Sequence, residues 1–239
     1  MHPLTRLEKA HVWHPFTPMD PWVAEDHEPL MIQSGKGCVL VDQHGREYLD
    51  GNSSIWTNIH GHNHETINTA IRAQLDQVAH TSFLGYTHGN AALLAAALTQ
   101  LLPDSRLERV FYSDNGSTAI EAAVRMSLQY HRQNRAPERD TLVAFDRGYH
   151  GDTLGAASLG GLPMFKGAAN DFGYKVVRVG DMATLRSLDP STFAAVIIEP
   201  LIQGAAGMKT WPKGMLADLR GWSFENNVLL ILDEVMTGF

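Results

Sequence analysis

The sequence is poor in the features that mark several classes of protein. Its 239 residues include a single cysteine, Cys38, so no disulfide can form within the chain, which is typical of a reducing compartment. No apolar run approaches the ~20 residues that span a bilayer. The N-terminal stretch MHPLTRLEKAHVWHPF also lacks the apolar segment of a secretion signal. These absences predict a cytoplasmic protein with no membrane partner.

Positive charge and nucleotide-binding patterns are also scarce. The net charge is −7, and the basic residues are scattered without a run longer than two. Nucleic-acid binding needs basic side chains that neutralise phosphates, so no nucleic-acid partner is expected. The sequence has no G-x-x-x-x-G-K-[ST] loop and no G-x-G-x-x-G after a strand pattern. An ATPase or a dinucleotide-binding enzyme is therefore disfavoured.

Apolar periodicity is the main positive signal in the chain. A composition of 44% hydrophobic and 19% charged residues is that of an ordinary globular protein with a substantial core. After residue 100, apolar runs alternate with segments at helical spacing. Strands are predicted at Arg109–Tyr112, Leu142–Phe145, KVVRVG, AAVIIEP and VLLILDE, and helices at Ser117–His131 and PKGMLADLRGWSFENN. This pattern predicts an α/β fold with a mostly parallel sheet and helices on both faces.

The first hundred residues predict an N-terminal lobe that leads into this sheet. Two short strands, Val39–Val41 and Glu47–Leu49, flank a turn that contains Gly45 and predict a hairpin. Two helices follow, in HETINTAIRAQLDQVAH and in AALLAAALTQLL, the second of which ends before Pro103.

The last predicted strand runs directly into two acids, Asp233 and Glu234. Ligands of open α/β sheets bind beyond the carboxyl ends of the strands. A partly desolvated carboxylate there needs a cation or a hydrogen-bond donor to stay charged. Asp233 can therefore hold Mg²⁺ on a nucleotide, hold the protonated nitrogen of a heterocycle, or cap the following loop. The missing phosphate loop weakens the first interpretation.

The segment YSDNGSTAIEAA suggests a seat for an anion. A predicted strand ends at Tyr112, and a predicted helix opens at Ser117, directly after Gly116. The unpaired N–H groups and the dipole of a helix start favour an anion, and Gly116 permits close approach of the backbone. The alternative is an ordinary helix cap, for which Asn and Ser are common.

The segment FDRGYHGDT follows the strand Leu142–Phe145. It places Tyr149 and His150 between two glycines, and an aromatic ring in such a loop suits stacking on a planar ligand. The alternative is a tyrosine packed under its own loop. An anion seat, an aromatic ring and a carboxylate, all at strand ends, together fit a phosphorylated pyridine.

The spacing of the histidines in HGHNH is a possible signal of a metal site. His60, His62 and His64 alternate, so on a strand they would face one way. Gly61 and Asn63 instead indicate a turn, and no carboxylate or cysteine lies nearby at matching spacing. No metal is expected.

Four stretches resemble the class III aminotransferases, which use pyridoxal 5′-phosphate (PLP): SDNGSTAIEAA, RGYHGDTLGA, AAVIIEPLIQGAAGM and LLILDEVMTGF, in family order and spacing. The resemblance covers essentially the whole chain. It implies the PLP-dependent transferase fold type I, with its C-terminal part absent. Residues 1–60 would belong to the small domain, and residues 61–239 would form an incomplete large PLP-binding domain.

The resemblance also implies roles for particular residues. Gly116 and Ser117 would bind the cofactor phosphate, Tyr149 would lie against the cofactor or substrate with His150 beside it, and Asp233 would keep the pyridine nitrogen protonated. Glu199 and Gln203 would shape the site. Residues that would line the substrate pocket are Phe16, Ile55, Trp56 and Tyr149.

Two N-terminal stretches, HVWHPFTPM and DGNSSIWTNIHGHNH, resemble the branch of the class that acts in biotin biosynthesis. They imply transamination of 8-amino-7-oxononanoate to 7,8-diaminononanoate. Many relatives have Tyr in place of Phe16 and Trp in place of Ile55. The adenine and sulfonium of S-adenosylmethionine favour aromatic faces, and Ile55 removes one. Because some members of the family use lysine as amino donor, the resemblance implies either S-adenosylmethionine or lysine here.

The family's Schiff-base lysine is expected beyond Phe239, so this chain contains no catalytic lysine and would be inactive alone. Lys166, Lys175, Lys209 and Lys213 do not match the lysine motif and are predicted at the surface. The resemblance further implies a homodimer with shared active sites. The alternatives are another class III enzyme, acting on ω-amino acids or polyamines, and an inactive truncated remnant.

Overall fold

The computed structural model describes residues 2–102, 107–166 and 173–238. The chain divides into two compact units, Met1–Leu94 and Ala95–Phe239. The predicted domain boundary at residue 60 concerns the domains of the whole enzyme and stays a prediction. Within the described residues, no helix is both long enough and apolar enough to cross a membrane.

The first unit contains a small antiparallel sheet in the order β1-β2-β3. Its strands are β1 (Ile32–Lys36), β2 (Val39–Asp42) and β3 (Glu47–Leu49), and its helices are α1 (Pro3–His11), α2 (Met19–Val23), the short turn α3 (Ser53–Trp56) and α4 (Glu65–Leu75). Helix α5 (Gly89–Gln100) runs through the division between the units. The predicted hairpin is confirmed, and Gly45 has the positive φ of 77° that its turn requires.

A buried carboxylate holds the hairpin turn together. Asp42 accepts hydrogen bonds from the backbone N–H groups of His44 and Arg46, both at 2.9 Å, and from Arg46 Nε at 2.6 Å. It also accepts one from the Tyr48 hydroxyl at 3.0 Å. Burial alone would raise the pKa of Asp42, but these hydrogen bonds outweigh burial and hold it well below its usual value.

The second unit is built on a parallel sheet in the order β5-β4-β6-β9. Its strands are β4 (Thr141–Phe145), β5 (Val176–Val179), β6 (Phe193–Ile198) and β9 (Leu229–Leu232), with a separate pair, β7 (Ile202–Gln203) and β8 (Lys209–Thr210). Its helices are α6 (Gly116–Gln133), α7 (Leu154–Leu159), α8 (Pro163–Lys166), α9 (Met182–Arg186) and α10 (Met215–Glu225), with a 3₁₀ turn at Pro190–Thr192.

Both faces of this sheet are covered, so its central strands are apolar on both sides. One core includes Val143, Phe145, Val196 and Ile198 of β4 and β6, packed with Leu219 of α10. The other face carries a second core, in which α6 and α7 pack against the strand residues in between. These strand residues are Leu142, Ala144, Ala195 and Ile197. The predicted parallel α/β architecture is confirmed.

The strand predicted at Arg109–Tyr112 is wrong for this structure. Residues 107–113 belong to no sheet among the described residues, and Phe111 is 66% exposed. A short run with β-branched and aromatic residues becomes a strand only when a neighbouring strand supplies hydrogen-bond partners. The described parallel sheet has β5 and β9 at its edges, so this segment leads into α6 as irregular chain.

Candidate active site

Asp233 lies directly after β9 and is buried, with 7% of its surface exposed. Its backbone N–H donates to the carbonyl of Ile198, which continues the register of β6 and β9 by one residue. Its Oδ2 lies 2.7 Å from Nδ1 of His150, which is also buried. A weaker bond from the N–H of Val235 reaches Oδ1 at 3.3 Å, so the acid also caps the following loop.

Glu199 is a second buried acid at this edge, one residue beyond β6. Its Oε1 accepts the N–H of Tyr149 at 3.0 Å, and its Oε2 accepts the N–H of Gly204 at 2.9 Å. Burial raises the pKa of Glu199, while these two hydrogen bonds and nearby His150 oppose the rise. The carboxylate therefore holds the loop after β4 and the loop after β6 together.

The start of α6 reaches the same place. Asn115 is the helix cap and accepts the N–H of Thr118 at 3.0 Å, so Ser117 is not needed for capping. The Ser117 hydroxyl instead accepts the N–H of Asp152 at 3.1 Å. A Cβ on Gly116 would lie 2.9 Å from a methyl of Val235, which brings the helix start against the chain that follows Asp233.

Residues 146–153, between β4 and α7, form the tyrosine loop that carries Tyr149 and His150. The Gly151 backbone shows how tightly this loop packs on α6. Gly151 has a φ of 120°, and a Cβ there would lie 2.2 Å from the Ser117 hydroxyl oxygen. The Tyr149 ring meets Phe165 edge-on at 5.0 Å, and its hydroxyl donates to Asp152 at 2.7 Å. Burial, then the hydrogen bond to Asp152, raises the pKa of Tyr149 to about 12, so the phenol stays protonated at neutral pH.

Gln203 carries an unsatisfied acceptor at this edge of the sheet. The residue is 1% exposed, and its Nε2 donates to the carbonyl of Asp146 at 2.9 Å. Its buried Oε1 has no hydrogen-bond partner among the described residues. A depression of about 590 Å³ is lined by residues of the same loops, namely Asp146, Arg147, Gly161, Leu162, Pro163, Ala205 and Ala206. Buried acceptors are rarely left unpaired, so Oε1 can accept a hydrogen bond from a bound group or a water molecule.

The three residues predicted for the substrate pocket outside this loop belong to the first unit. Ile55 and Trp56 lie in α3, a left-handed turn in which Ser53 to Trp56 all have φ between 51° and 68°. Phe16 also has a positive φ, of 52°, and is 71% exposed. Their role in substrate binding stays a prediction.

The HGHNH stretch is organised by hydrogen bonds. His62 Nε2 lies 2.8 Å from the Asp50 carboxylate, and Asn58 Nδ2 lies 2.6 Å from His62 Nδ1. Across residues 2–102, 107–166 and 173–238, no group of three or more His, Cys, Asp or Glu side chains is placed to hold a metal ion.

The lysines outside the family motif lie at the surface where their side chains are described. Lys175 forms an ion pair with Asp140 at 2.6 Å, and Lys209 lies over the Trp211 ring at 6.0 Å. Lys213 is exposed. The Lys166 side chain lies outside the described residues.

Comparison with known proteins gives the family. The family described as "Aminotransferase class-III" matches residues 22–239. The chain belongs to the class III aminotransferases. It is 43% identical to the adenosylmethionine-8-amino-7-oxononanoate aminotransferase of Nitratidesulfovibrio vulgaris over 99% of its own length, and 37% identical to the enzyme of that name from Geobacter sulfurreducens over 97%. It spans 47% and 56% of those relatives, about half their length.

Solved structures agree with this class III assignment. A crystal structure of adenosylmethionine-8-amino-7-oxononanoate aminotransferase from Methanocaldococcus jannaschii superimposes with a TM-score of 0.92 at 36% identity, over 98% of this chain and 55% of that one. A PLP-bound amine transaminase from an uncultivated Pseudomonas species gives 0.83 at 30% identity, over 95% and 56%. The PLP-dependent transferase fold type I is thereby confirmed, and class III aminotransferases use PLP as cofactor.

The residues at the sheet edge fit this cofactor. The start of α6 offers the dipole of a helix N-terminus and the Ser117 hydroxyl, which accepts from Asp152 and can also donate its own proton. Asp233 has acceptor capacity beyond its bond to His150, and the buried Gln203 oxygen has acceptor capacity as well. The assignment of Gly116, Ser117, Tyr149, His150 and Asp233 to the cofactor remains a prediction.

Several contacts in this class III site were not predicted from the sequence. The motifs place His150 beside Tyr149, whereas its hydrogen-bond partner is Asp233, 83 residues later in the chain. The link from Glu199 to the Tyr149 loop was also missed. Its signal was the one that marks Asp233: an acid directly after a buried strand.

Proposed function

We propose that this chain is part of an enzyme that transfers an amino group to 8-amino-7-oxononanoate, giving 7,8-diaminononanoate in biotin biosynthesis. The relatives with 36–43% identity carry names that state this keto substrate. The N-terminal stretches HVWHPFTPM and DGNSSIWTNIHGHNH support the same branch.

The observation that carries the proposal is the buried Asp233–His150 pair, which shares one sheet edge with Ser117 and the Tyr149 loop. When bound, PLP supplies an electron sink for the electrons left on the substrate Cα after its proton is removed. Asp233 would hold the proton on the ring nitrogen, since a buried carboxylate favours a cationic partner. His150 would orient that carboxylate, and the start of α6 would hold the phosphate.

The amino donor, assembly and location are further parts of this proposal. The donor is S-adenosylmethionine or lysine, with the choice depending on the pocket that Phe16, Ile55 and Trp56 would line. Large exposed apolar residues between positions 84 and 101 support a homodimer, because such surface is usually covered: Leu84, Tyr86, Leu93, Leu94 and Leu101. A cytoplasmic location is supported by the single, exposed Cys38.

The test measures PLP binding and turnover of 8-amino-7-oxononanoate in the purified protein that contains this chain, with each donor in turn. Asp233→Ala removes the partner of the ring nitrogen, and we expect turnover to fall by about a thousandfold or more. Asp26→Ala, at an exposed aspartate of the first unit, is the control and should behave as wild type. Normal transamination by Asp233→Ala would contradict the proposed role, and no turnover of this keto acid by wild type would contradict the substrate.

A second candidate is a class III enzyme that accepts amines or ω-amino acids. It is favoured by the similarity to the Pseudomonas amine transaminase, with 30% identity and a TM-score of 0.83. Turnover of simple amines with pyruvate, in a protein that ignores 8-amino-7-oxononanoate, would select this candidate.

A further inference from the structure

Glu121 lies one helical turn after Ser117 on α6, so the two side chains project from the same side of the helix. Ser117 bonds to the N–H of Asp152 at 3.1 Å, and Glu121 bonds to the hydroxyl of the next residue, Thr153, at 2.6 Å. Two consecutive residues of the tyrosine loop are thus tied to two consecutive turns of α6.

The Glu121 carboxylate has two further donors. The N–H of Ala156 in the first turn of α7 reaches Oε1 at 3.1 Å, and the Tyr174 hydroxyl reaches Oε2 at 2.5 Å. Burial alone would raise the pKa of Glu121, but the hydrogen bonds from Thr153, Tyr174 and Ala156 outweigh it and lower the pKa. The side chain is therefore an anion at neutral pH, and charge-assisted bonds of this kind are stronger than neutral ones.

Gly155 shows that the carboxylate fills a tight space. A Cβ on Gly155 would lie 2.5 Å from both Glu121 oxygens and 2.6 Å from the Tyr174 ring. The α7 backbone can approach the carboxylate only because this position has no side chain. A substitution at Gly155 therefore displaces Glu121 without removing it.

We propose that Glu121 is a positioning residue for the cofactor site. Its carboxylate fixes the loop that carries Tyr149 and His150 against the start of α6. The phosphate seat and the aromatic ring then keep one fixed spacing, since both depend on the same helix. This inference rests on the proposed function. It adds a residue that acts through its hydrogen bonds to Thr153, Ala156 and Tyr174 and not through a bond to the Asp233–His150 pair.

The test titrates PLP into Glu121→Ala and Glu121→Gln proteins and records the induced circular dichroism of the bound cofactor, which reports ring orientation. Ala removes every acceptor, and we expect about tenfold weaker PLP binding and a smaller dichroic band. Gln keeps an oxygen for Thr153 and Ala156, so we expect a loss of only about two- to threefold.

Gly155→Ala tests the same inference with the carboxylate retained. Its Cβ should push Glu121 away and reproduce the weak binding and small dichroic band of Glu121→Ala. Gly221→Ala in α10 is the matched control, because a Cβ there meets no atom within 4 Å and should leave binding unchanged. If Glu121→Ala does not fold, Gly155→Ala carries the test.

Two results would overturn the inference. One is wild-type PLP affinity and dichroism in both Glu121→Ala and Gly155→Ala. The other is a loss of binding that only follows a lower melting temperature, with Gln as damaging as Ala, since that indicates a purely structural role. Both of these results assume that the wild-type protein binds PLP. Failure of the wild-type protein to bind PLP would instead overturn the proposed function, so the two failures are distinguishable.

Discussion

The two compact units of this chain are held by different interactions. Among the described residues, the first unit contributes two apolar residues to the buried set, Pro29 and Ala91, whereas the second contributes apolar side chains on both faces of its sheet. The buried side chains of the first unit include Thr5 and Asp42, which are polar. Apolar burial is non-directional, whereas hydrogen bonds fix particular geometries. The first unit therefore depends on individual polar contacts and the second on its packed core.

Backbone strain follows the same division. In the first unit, four consecutive residues of α3 have left-handed dihedrals, which cost on the order of 1–2 kcal/mol per residue. Asp50 stabilises this turn by accepting the N–H of Ser54 at 3.0 Å and its hydroxyl at 2.8 Å. In the second unit, non-glycine residues with positive φ occur singly: Arg135, Arg147, Leu201, Met208 and Asn227. Strain of this kind concentrates at functional sites, and the substrate role of Ile55 and Trp56 stays a prediction.

The largest effect on stability is expected from a substitution that creates a cavity in the core of the second unit. Phe145 is 1% exposed and meets the Trp211 ring edge-on at 5.2 Å. Phe145→Ala should lower the free energy of unfolding by about 3–5 kcal/mol, measured by urea denaturation. Leu49→Ala, at a strand residue of the first unit that is 77% exposed, should stay within about 0.5 kcal/mol of wild type. Equal losses at both positions would contradict the division between the units.

The next effect is expected from the polar contacts of the first unit. Because the folded-state pKa of Asp42 lies below its unfolded value, the unfolded chain binds the proton more readily in acid. The stabilisation is thus complete above the unfolded pKa of about 3.9 and is lost as the pH falls through the folded value. Asp42→Asn should lower the melting temperature of the first unit at pH 7, and the gap from wild type should narrow below about pH 4.

That gap is followed by thermal denaturation at a series of pH values. Asp26→Asn, at an exposed aspartate of the same unit, should melt as wild type at every pH. A difference between Asp42→Asn and wild type that is constant with pH would show that the carboxylate charge does not hold the hairpin.

The smallest effect has the opposite sign. Ile55 is 69% exposed and has a φ of 59°, so Ile55→Gly removes strain with little loss of packing and should raise the free energy of unfolding by about 1 kcal/mol. Ile59 is 58% exposed but has no positive φ, so Ile59→Gly should lower it by about 0.5–1 kcal/mol. Urea denaturation of the pair measures both, and a loss at Ile55 would contradict the strained turn.

Much of the second unit could be predicted because its signals are local. The apolar runs that became β4, β6 and β9 are continuous, and the helix that begins at Gly116 has apolar residues at helical spacing. The error at Arg109–Tyr112 has the opposite cause. Its residues favour a strand, but pairing depends on a neighbour that the sequence of the segment does not encode.

The sequence by itself determined the alternation of strands and helices, the acid after β9 and the glycine and serine at the start of α6, since each depends on residues adjacent in the chain. Only the tertiary structure decided that His150 pairs with Asp233, that Glu199 holds the Tyr149 loop and that Glu121 holds Thr153. Those partners are 32 to 83 residues apart. The first two pairs meet because parallel strands bring their carboxyl ends to one edge, and Glu121 meets Thr153 because α6 packs beside α7.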